Sequence, residues 1–222
     1  MRVSVFSYLS DLFSLSDEQA MLRVQKQNDP RAFALLVRRW QGRIQRLCAR
    51  LTGDVHRGED VAQEVFMRVF AHRNDYRGEA SFATYLRRIA LNACYDEQRR
   101  LKRRSESSLN HNNADNAFDA ALQTPTLSPE MVVAKRERAK LVRKALFRLP
   151  ESYRQVVILR HYEGLRFREI AEVLDVPQGT VQSRMAEALT QLGRFLKPIL
   201  SEETIGPKSK QGMSEPNRKG VL

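Results

Sequence analysis

The feature that most constrains this chain is the spacing of its apolar residues, which recur at steps of three and four and nowhere alternate as a strand would. Phe33, Leu36, Val37, Trp40, Ile44, Leu47, Cys48 and Leu51 line one side of a helix, with Arg38, Arg39, Arg43, Arg46 and Arg50 on its other side. Asp29-Pro30 supplies the start, an N-cap with proline in the first turn, and Gly53 supplies the stop. A second helix is predicted from about Gly58 to His72, and a third from about Ser81 to Arg104. The third carries Phe82, Leu86, Ile89, Ala90 and Ala93 on its apolar stripe and Arg88, Asn92, Tyr95, Arg99 and Arg103 on its other face. Between them, Asn74-Asp75-Tyr76-Arg77-Gly78-Glu79 reads as a loop by its turn chemistry. With no internal repeat and no period-two run, the expected fold class is all-α.

A change of composition divides the chain. Residues 105–129 hold no Lys or Arg, three acids (Glu106, Asp115, Asp119) and many Ser, Asn, Thr and Pro, the make-up of a flexible linker between two small helical domains. The expected order is a lead-in over 1–28, a first domain over 29–104, the linker, a second domain over 130–198 and a disordered polar tail over 199–222. In the second domain, Ser128-Pro129 opens a helix reaching about Leu149. Pro150 starts the next, which stops at Gly164 after Tyr162. A short one covers Phe167 to Leu174 with Ile170, Ala171 and Leu174 inward. The last runs from Gln178 to about Leu196 with Val181, Met185, Ala188, Leu189 and Leu192 inward.

Charge narrows the partner. Lys and Arg number 38 against 26 acids, a net charge of +12, which points to a polyanion, nucleic acid before an anionic membrane. The plain alternative is a basic protein that is merely soluble. No apolar run approaches the ~18 residues of a membrane span, and Met1 to Asp11 does not read as a signal peptide, so the cytoplasm is the expected compartment with no membrane insertion. The two cysteines, Cys48 and Cys94, lie in apolar helical patterns and read as buried hydrophobes. The four histidines show no ligand spacing, so no metal and no cofactor is expected.

The clearest local motif is a helix-turn-helix over 166–189. Small Ala171 permits two helices to cross closely, and the turn Asp175-Val176-Pro177 sends one apolar side chain back into the core. Val181 and Met185 anchor the second helix, which leaves Gln182, Ser183, Ala186 and Glu187 outward. A helix so placed can lie in the major groove and read base edges. An ordinary helical hairpin is the alternative.

The segment LPESYRQVVILRHYEGLRFREIAEVLDVPQGTVQSRMAEAL, Leu149 to Leu189, closely resembles domain 4 of the extracytoplasmic-function sigma factors of bacterial RNA polymerase. GEDVAQEVFMRVF (Gly58–Phe70) and FATYLRRIALNACYDEQRR (Phe82–Arg100) resemble their domain 2. Two motif sets thus occur in the family's order across a variable linker, together covering most of residues 30–195. The resemblance implies a non-enzymatic subunit with three surfaces. Asp60, Gln63, Glu64 and Met67, with Ala71, fall on one helix face, matching the face that docks on the polymerase largest subunit. Asn74, Asp75, Tyr76, Arg77, Tyr85, Arg88 and Asn92, with the basic run containing Arg99, Arg100 and Arg103, match the reader of the −10 element. Opening DNA needs an aromatic slot for an unstacked base and cations for phosphate. Tyr85 stands where the family usually has Trp, and Arg87 where it usually has an aromatic, which implies a weaker aromatic platform; Phe82 reads as core. Arg166, Arg168, Gln178, Thr180, Gln182, Ser183, Arg184, Ala186 and Glu187 match the reader of the duplex −35 element. The partners implied are core RNA polymerase, promoter DNA and, as in many relatives, an anti-sigma factor. The rival reading from the residues is a helix-turn-helix regulator that binds duplex DNA as a dimer.

Overall fold

The structure, a computed structural model, describes residues 15–106 and 129–204. Among them are eight α-helices and no strand: α1 (Asp17–Gln27), α2 (Pro30–Thr52), α3 (Val55–Ala71), α4 (Phe82–Glu106), α5 (Pro129–Arg148), α6 (Glu151–His161), α7 (Phe167–Leu174) and α8 (Gln178–Thr204). A short 3-10 helix, Arg73–Asp75, follows α3.

The predicted starts and stops of α2 hold. The Asp29 carboxylate accepts from the Arg31 and Ala32 N–H groups at 2.9 and 3.3 Å, and Gly53 closes the helix at φ +80° in the left-handed region that glycine tolerates. α2 and α3 then pack at very short range. A Cβ at Gly58 would fall 2.5 Å from the Ala49 Cα and N atoms, so only glycine admits this approach. Leu36, Ile44, Leu47, Val65, Val69, Phe82 and Leu86 fill the core formed with α4. Cys48 and Cys94 are free and buried, as their apolar settings implied. A hydrogen bond with the Cys48 thiol, followed by burial, pushes the Cys94 pKa up.

The stretch expected as a lead-in contains a helix. Ser16 and Gln19 form a capping box, the Ser16 hydroxyl accepting from Gln19 N–H and the Gln19 side chain from Ser16 N–H. Ala20, Met21 and Val24 of α1 are fully buried in the first domain's core. Asp17 accepts from Trp40 Nε1 and Arg39 Nη1, both at 2.8 Å, which ties α1 to α2. Residues 1–14 lie outside the described residues, as do 107–128 of the expected linker and 205–222 of the expected tail. Residues 199–204 continue α8 as helix rather than belonging to the tail.

In the second domain, α7 and α8 form the expected helix-turn-helix. Asp175 turns the chain at φ 55°, and the Pro177 carbonyl accepts from Thr180 N–H at 2.9 Å. Ile170, Val173, Val181, Met185 and Ala188 are buried where the helices meet α6. Leu189, expected inward, is 51% exposed: it follows Ala188, and the buried stripe passes through Val181, Met185 and Ala188 instead. Arg160 braces the turn before α7, donating to the Leu165 carbonyl at 2.9 Å with its guanidinium over the Phe167 ring.

The two domains touch. α4 packs against α7, and α2 against α6, and the buried residues of both domains join into one cluster.

Candidate nucleic-acid and protein interface

The face of α3 expected to dock a protein is formed as the spacing requires. Asp60, Gln63, Met67 and Ala71 are exposed and Glu64 is half-buried. Met67 is 64% exposed, unusual for so large an apolar side chain. Glu64 accepts from Arg68 Nη2 at 2.6 Å, and Arg68 Nη1 donates to Asp96 of α4 at 2.8 Å. These charges raise the Arg68 pKa despite desolvation, the largest single effect on it. Sequence reasoning missed Phe70, which is 39% exposed beside Met67 and lies against Phe33 with ring centroids 5.1 Å apart. Its signal was the i, i+3 step from Met67.

The loop after α3 is held by α1. Gln25 Nε2 donates to the carbonyls of Asn74 and Tyr76 at 3.1 and 3.2 Å. Arg73 Nε donates to Asn28 Oδ1 at 2.8 Å. Glu18 Oε1 accepts from Phe82 N–H at 3.1 Å and so satisfies a free donor at the start of α4. The missed helix therefore positions the loop, and the Ser16-x-x-Gln19 box was its signature.

Asn74, Asp75 and Arg77 are exposed. Tyr76 is not: it is 3% exposed, its ring rests on Phe82 and Tyr85, and its hydroxyl donates to the Ala80 carbonyl at 3.2 Å. In this conformation Tyr76 offers no open face for a base. Tyr85 is half-buried with its hydroxyl donating to the His72 carbonyl at 3.3 Å, and Phe82 is core, as expected. Burial raises the pKa of both tyrosines, so both stay neutral donors. Arg87, at the position where an aromatic is usual, is buried with its guanidinium over Trp40. Further along α4, Arg88, Asn92, Arg99, Arg100 and Arg103 are exposed. Arg99 lies over the Tyr95 ring at 5.6 Å, and Arg100 pairs with Glu97 at 2.6 Å.

On the helix-turn-helix, Gln178, Gln182, Ser183, Ala186 and Glu187 are exposed, Thr180 and Arg184 are half-buried, and Arg166 and Arg168 are exposed at the start of α7. Glu187 accepts from Gln191 at 3.0 Å, and Ser183 Oγ donates to the Thr180 carbonyl at 3.0 Å. Arg168 pairs with Glu172 at 3.4 Å. Glu169 accepts from the Arg166 N–H at 2.6 Å and caps α7.

Comparison with known proteins fits this geometry. Residues 36–104 match the family Sigma-70 region 2, and residues 139–192 match Sigma-70, region 4. The chain is 34% identical over 187 residues to the RNA polymerase sigma-H factor of Pseudomonas aeruginosa, covering 84% of this chain and 96% of that one. It is 33% identical over 189 residues to the ECF RNA polymerase sigma-E factor of Escherichia coli (strain K12), covering 84% and 97%. The chain belongs to the extracytoplasmic-function sigma factors. The fold of this sigma factor is shared with two solved structures. The first is a sigma factor RpoE in complex with the anti-sigma factor NepR from Bartonella quintana, with TM-score 0.58, 20% identity, 74% of this chain and 96% of that one. The second is CnrH in complex with the cytosolic domain of CnrY, with TM-score 0.57, 21% identity, 82% and 97%. Among the described residues of the sigma factor, no group of His, Cys, Asp or Glu is arranged to hold a metal ion, and no helix is long and apolar enough to cross a membrane.

Proposed function

We propose that this sigma factor binds core RNA polymerase, brings it to promoters and opens the DNA for transcription initiation, with all bond chemistry left to the polymerase. The observation that carries the reading is the pairing, in one chain, of region 2 with an exposed acidic and apolar helix face and region 4 with an outward-facing recognition helix. In this reading, residues 29–104 together with α1 form the domain for polymerase and the −10 element, and 130–198 the domain for the −35 element. Asp60, Gln63, Glu64 and Met67, extended by Phe70, meet the polymerase. Gln178, Gln182, Ser183, Ala186 and Glu187 face the major groove, while Arg166, Arg168 and Arg184 contact phosphate. Arg88, Asn92, Arg99 and Arg103 guide the −10 strand, and Asn74, Asp75 and Arg77 meet the edges of unstacked bases. Binding of the displaced bases offsets an unstacking cost of a few kcal/mol per base. Tyr76 contributes stacking only if the loop held by Gln25 rearranges. The site of action is the cytoplasm, where polymerase works, and anti-sigma factors join polymerase and promoter DNA as partners. Gel filtration with purified core polymerase tests the reading: the chain co-elutes with core in stoichiometric amount and is a monomer without it. A free dimer that ignores polymerase would instead support a duplex-binding regulator.

A further inference from the structure

The surfaces assigned to polymerase and DNA leave two reactive groups unused, the thiols in the core of the first domain. They sit on different helices, Cys48 on α2 and Cys94 on α4, and both are free. The packing of those helices sets them face to face. The Arg87 guanidinium of α4 lies over the Trp40 ring of α2 at 5.3 Å. Further along, Gln98 Nε2 of α4 donates to the Leu51 carbonyl of α2 at 2.7 Å, across 47 residues of chain. Both contacts keep one register, so α2 and α4 run side by side in the same direction. Cys48 and Cys94, 46 residues apart, lie on the same line between them, and their thiols hydrogen-bond to each other.

The surroundings are apolar and closed. Cys48 is 0% and Cys94 2% exposed, among the buried Leu47, Leu51, Ala90 and Ala93. Among the described residues, the pair belongs to no group of three or more His, Cys, Asp and Glu arranged to hold a metal ion. The chemistry open to it is that of a dithiol. A disulfide bond is about 2 Å long, so closing this pair shortens a contact already made rather than drawing two distant helices together.

We propose that Cys48 and Cys94 form an oxidisable dithiol site, which hydrogen peroxide closes into a disulfide that staples α2 to α4. One thiol, as thiolate, attacks a peroxide oxygen; the O–O bond breaks, and the leaving hydroxide takes up the thiol proton as water. The second thiol attacks the sulfur of the sulfenic acid so formed; the S–O bond breaks and a second water leaves. The two sulfurs together lose two electrons and the peroxide gains them. Burial sets the conditions: the raised Cys94 pKa leaves little thiolate, so the pair reacts slowly and stays reduced in a reducing compartment. Peroxide is small and uncharged, and it reaches the core when the domain opens locally. The closed loop contains all of α3 with its exposed face, and taking that loop's freedom from the unfolded chain stabilises the domain.

The test uses the full chain without polymerase or DNA. Reduced wild type, Cys48→Ser and Cys94→Ala are treated with hydrogen peroxide while circular dichroism confirms that helix content is kept. Catalase ends the reaction, the chains are denatured in iodoacetamide, and intact mass and tryptic peptides are read. The site predicts a wild-type monomer that has lost two hydrogens, takes up no alkyl group and yields a Cys48–Cys94 crosslinked peptide; neither variant forms an intramolecular bond. Thermal unfolding of the oxidised wild type is then compared before and after dithiothreitol, which reopens the disulfide and leaves methionine sulfoxide in place. The staple predicts a Tm higher by about 5 °C or more before reduction. Two alkylated thiols, sulfinic or sulfonic acids, or disulfide-linked dimers in place of the internal crosslink overturn the site. A crosslinked chain whose Tm is equal to or below that of its reduced form overturns the staple. If either variant fails to fold, the wild-type mass and Tm decide alone.

Discussion

Gly58→Ala should destabilise the first domain although alanine is the better helix former. The replacement gains up to about 1 kcal/mol in helix propensity. Against this stands the packing of α3 on α2. The added methyl would sit 2.5 Å from Ala49 Cα and N and 2.8 Å from Ala49 Cβ, and two of those three atoms are backbone that no rotamer change can move. Overpacking of a filled core costs about 1–3 kcal/mol, and this contact belongs at the upper end because the helices themselves must separate. The net expectation is a loss of about 1–2 kcal/mol, which for a domain of this size is a fall in Tm of roughly 5–10 °C. Thermal unfolding followed by circular dichroism measures it. The separation would also tilt the face bearing Asp60 and Met67, so affinity for core polymerase should fall with Tm. A Tm equal to or above wild type would refute the argument, because it would mean that α2 and α3 do not approach as described.

Three further outcomes are expected. Asp60→Lys with Glu64→Lys should weaken binding to core polymerase by about tenfold or more, some 1.4 kcal/mol or above, in a pull-down; the Glu64–Arg68 pair lost from the surface is worth only about 0.3–0.5 kcal/mol to the fold, so unchanged affinity would remove this face from the interface. Replacing Arg99, Arg100, Lys102 or Arg103 by Ala should weaken binding to different promoters alike and lower the salt slope by up to about one unit per lost phosphate contact. The change should be smallest at Arg100, whose charge already meets Glu97, and a promoter-selective loss would make these residues base readers. Gln182→Arg should shift the −35 preference from adenine toward guanine by about 1–3 kcal/mol in a randomised selection, and identical motifs from both proteins would show that Gln182 does not read DNA.

Most helices of both domains were legible because they are marked locally, by an apolar stripe, a capping residue or a glycine or proline, although α3 starts at Val55, capped by Asp54, ahead of the expected Gly58. α7 begins and ends where its pattern says, and α2 runs from the proline after Asp29 to the residue before Gly53. α1 was legible in principle through its capping box, but it is short, and Ala20, Met21 and Val24 make a stripe too brief to stand out. α8 outruns its apolar pattern, since helix continues past Leu196 to Thr204. Exposure on the recognition helix followed from period alone at Gln182, Ser183, Ala186 and Glu187, and failed only at Leu189. Tyr76 was the harder case. An aromatic in a polar loop looks like a platform, and only the fold reveals that Phe82 and Tyr85 enclose it. The contacts between domains left no trace in the sequence: Arg87 and Glu163 are far apart along the chain, and no spacing rule joins them.

Run-off transcription tests the central claim most directly. Purified core polymerase is incubated, with and without this chain, on DNA carrying promoters drawn from the source genome. The account predicts discrete transcripts that require the chain and disappear when Asp60 and Glu64 are reversed to Lys. Transcripts independent of the chain, or none from any promoter despite a stable complex with core, would contradict it.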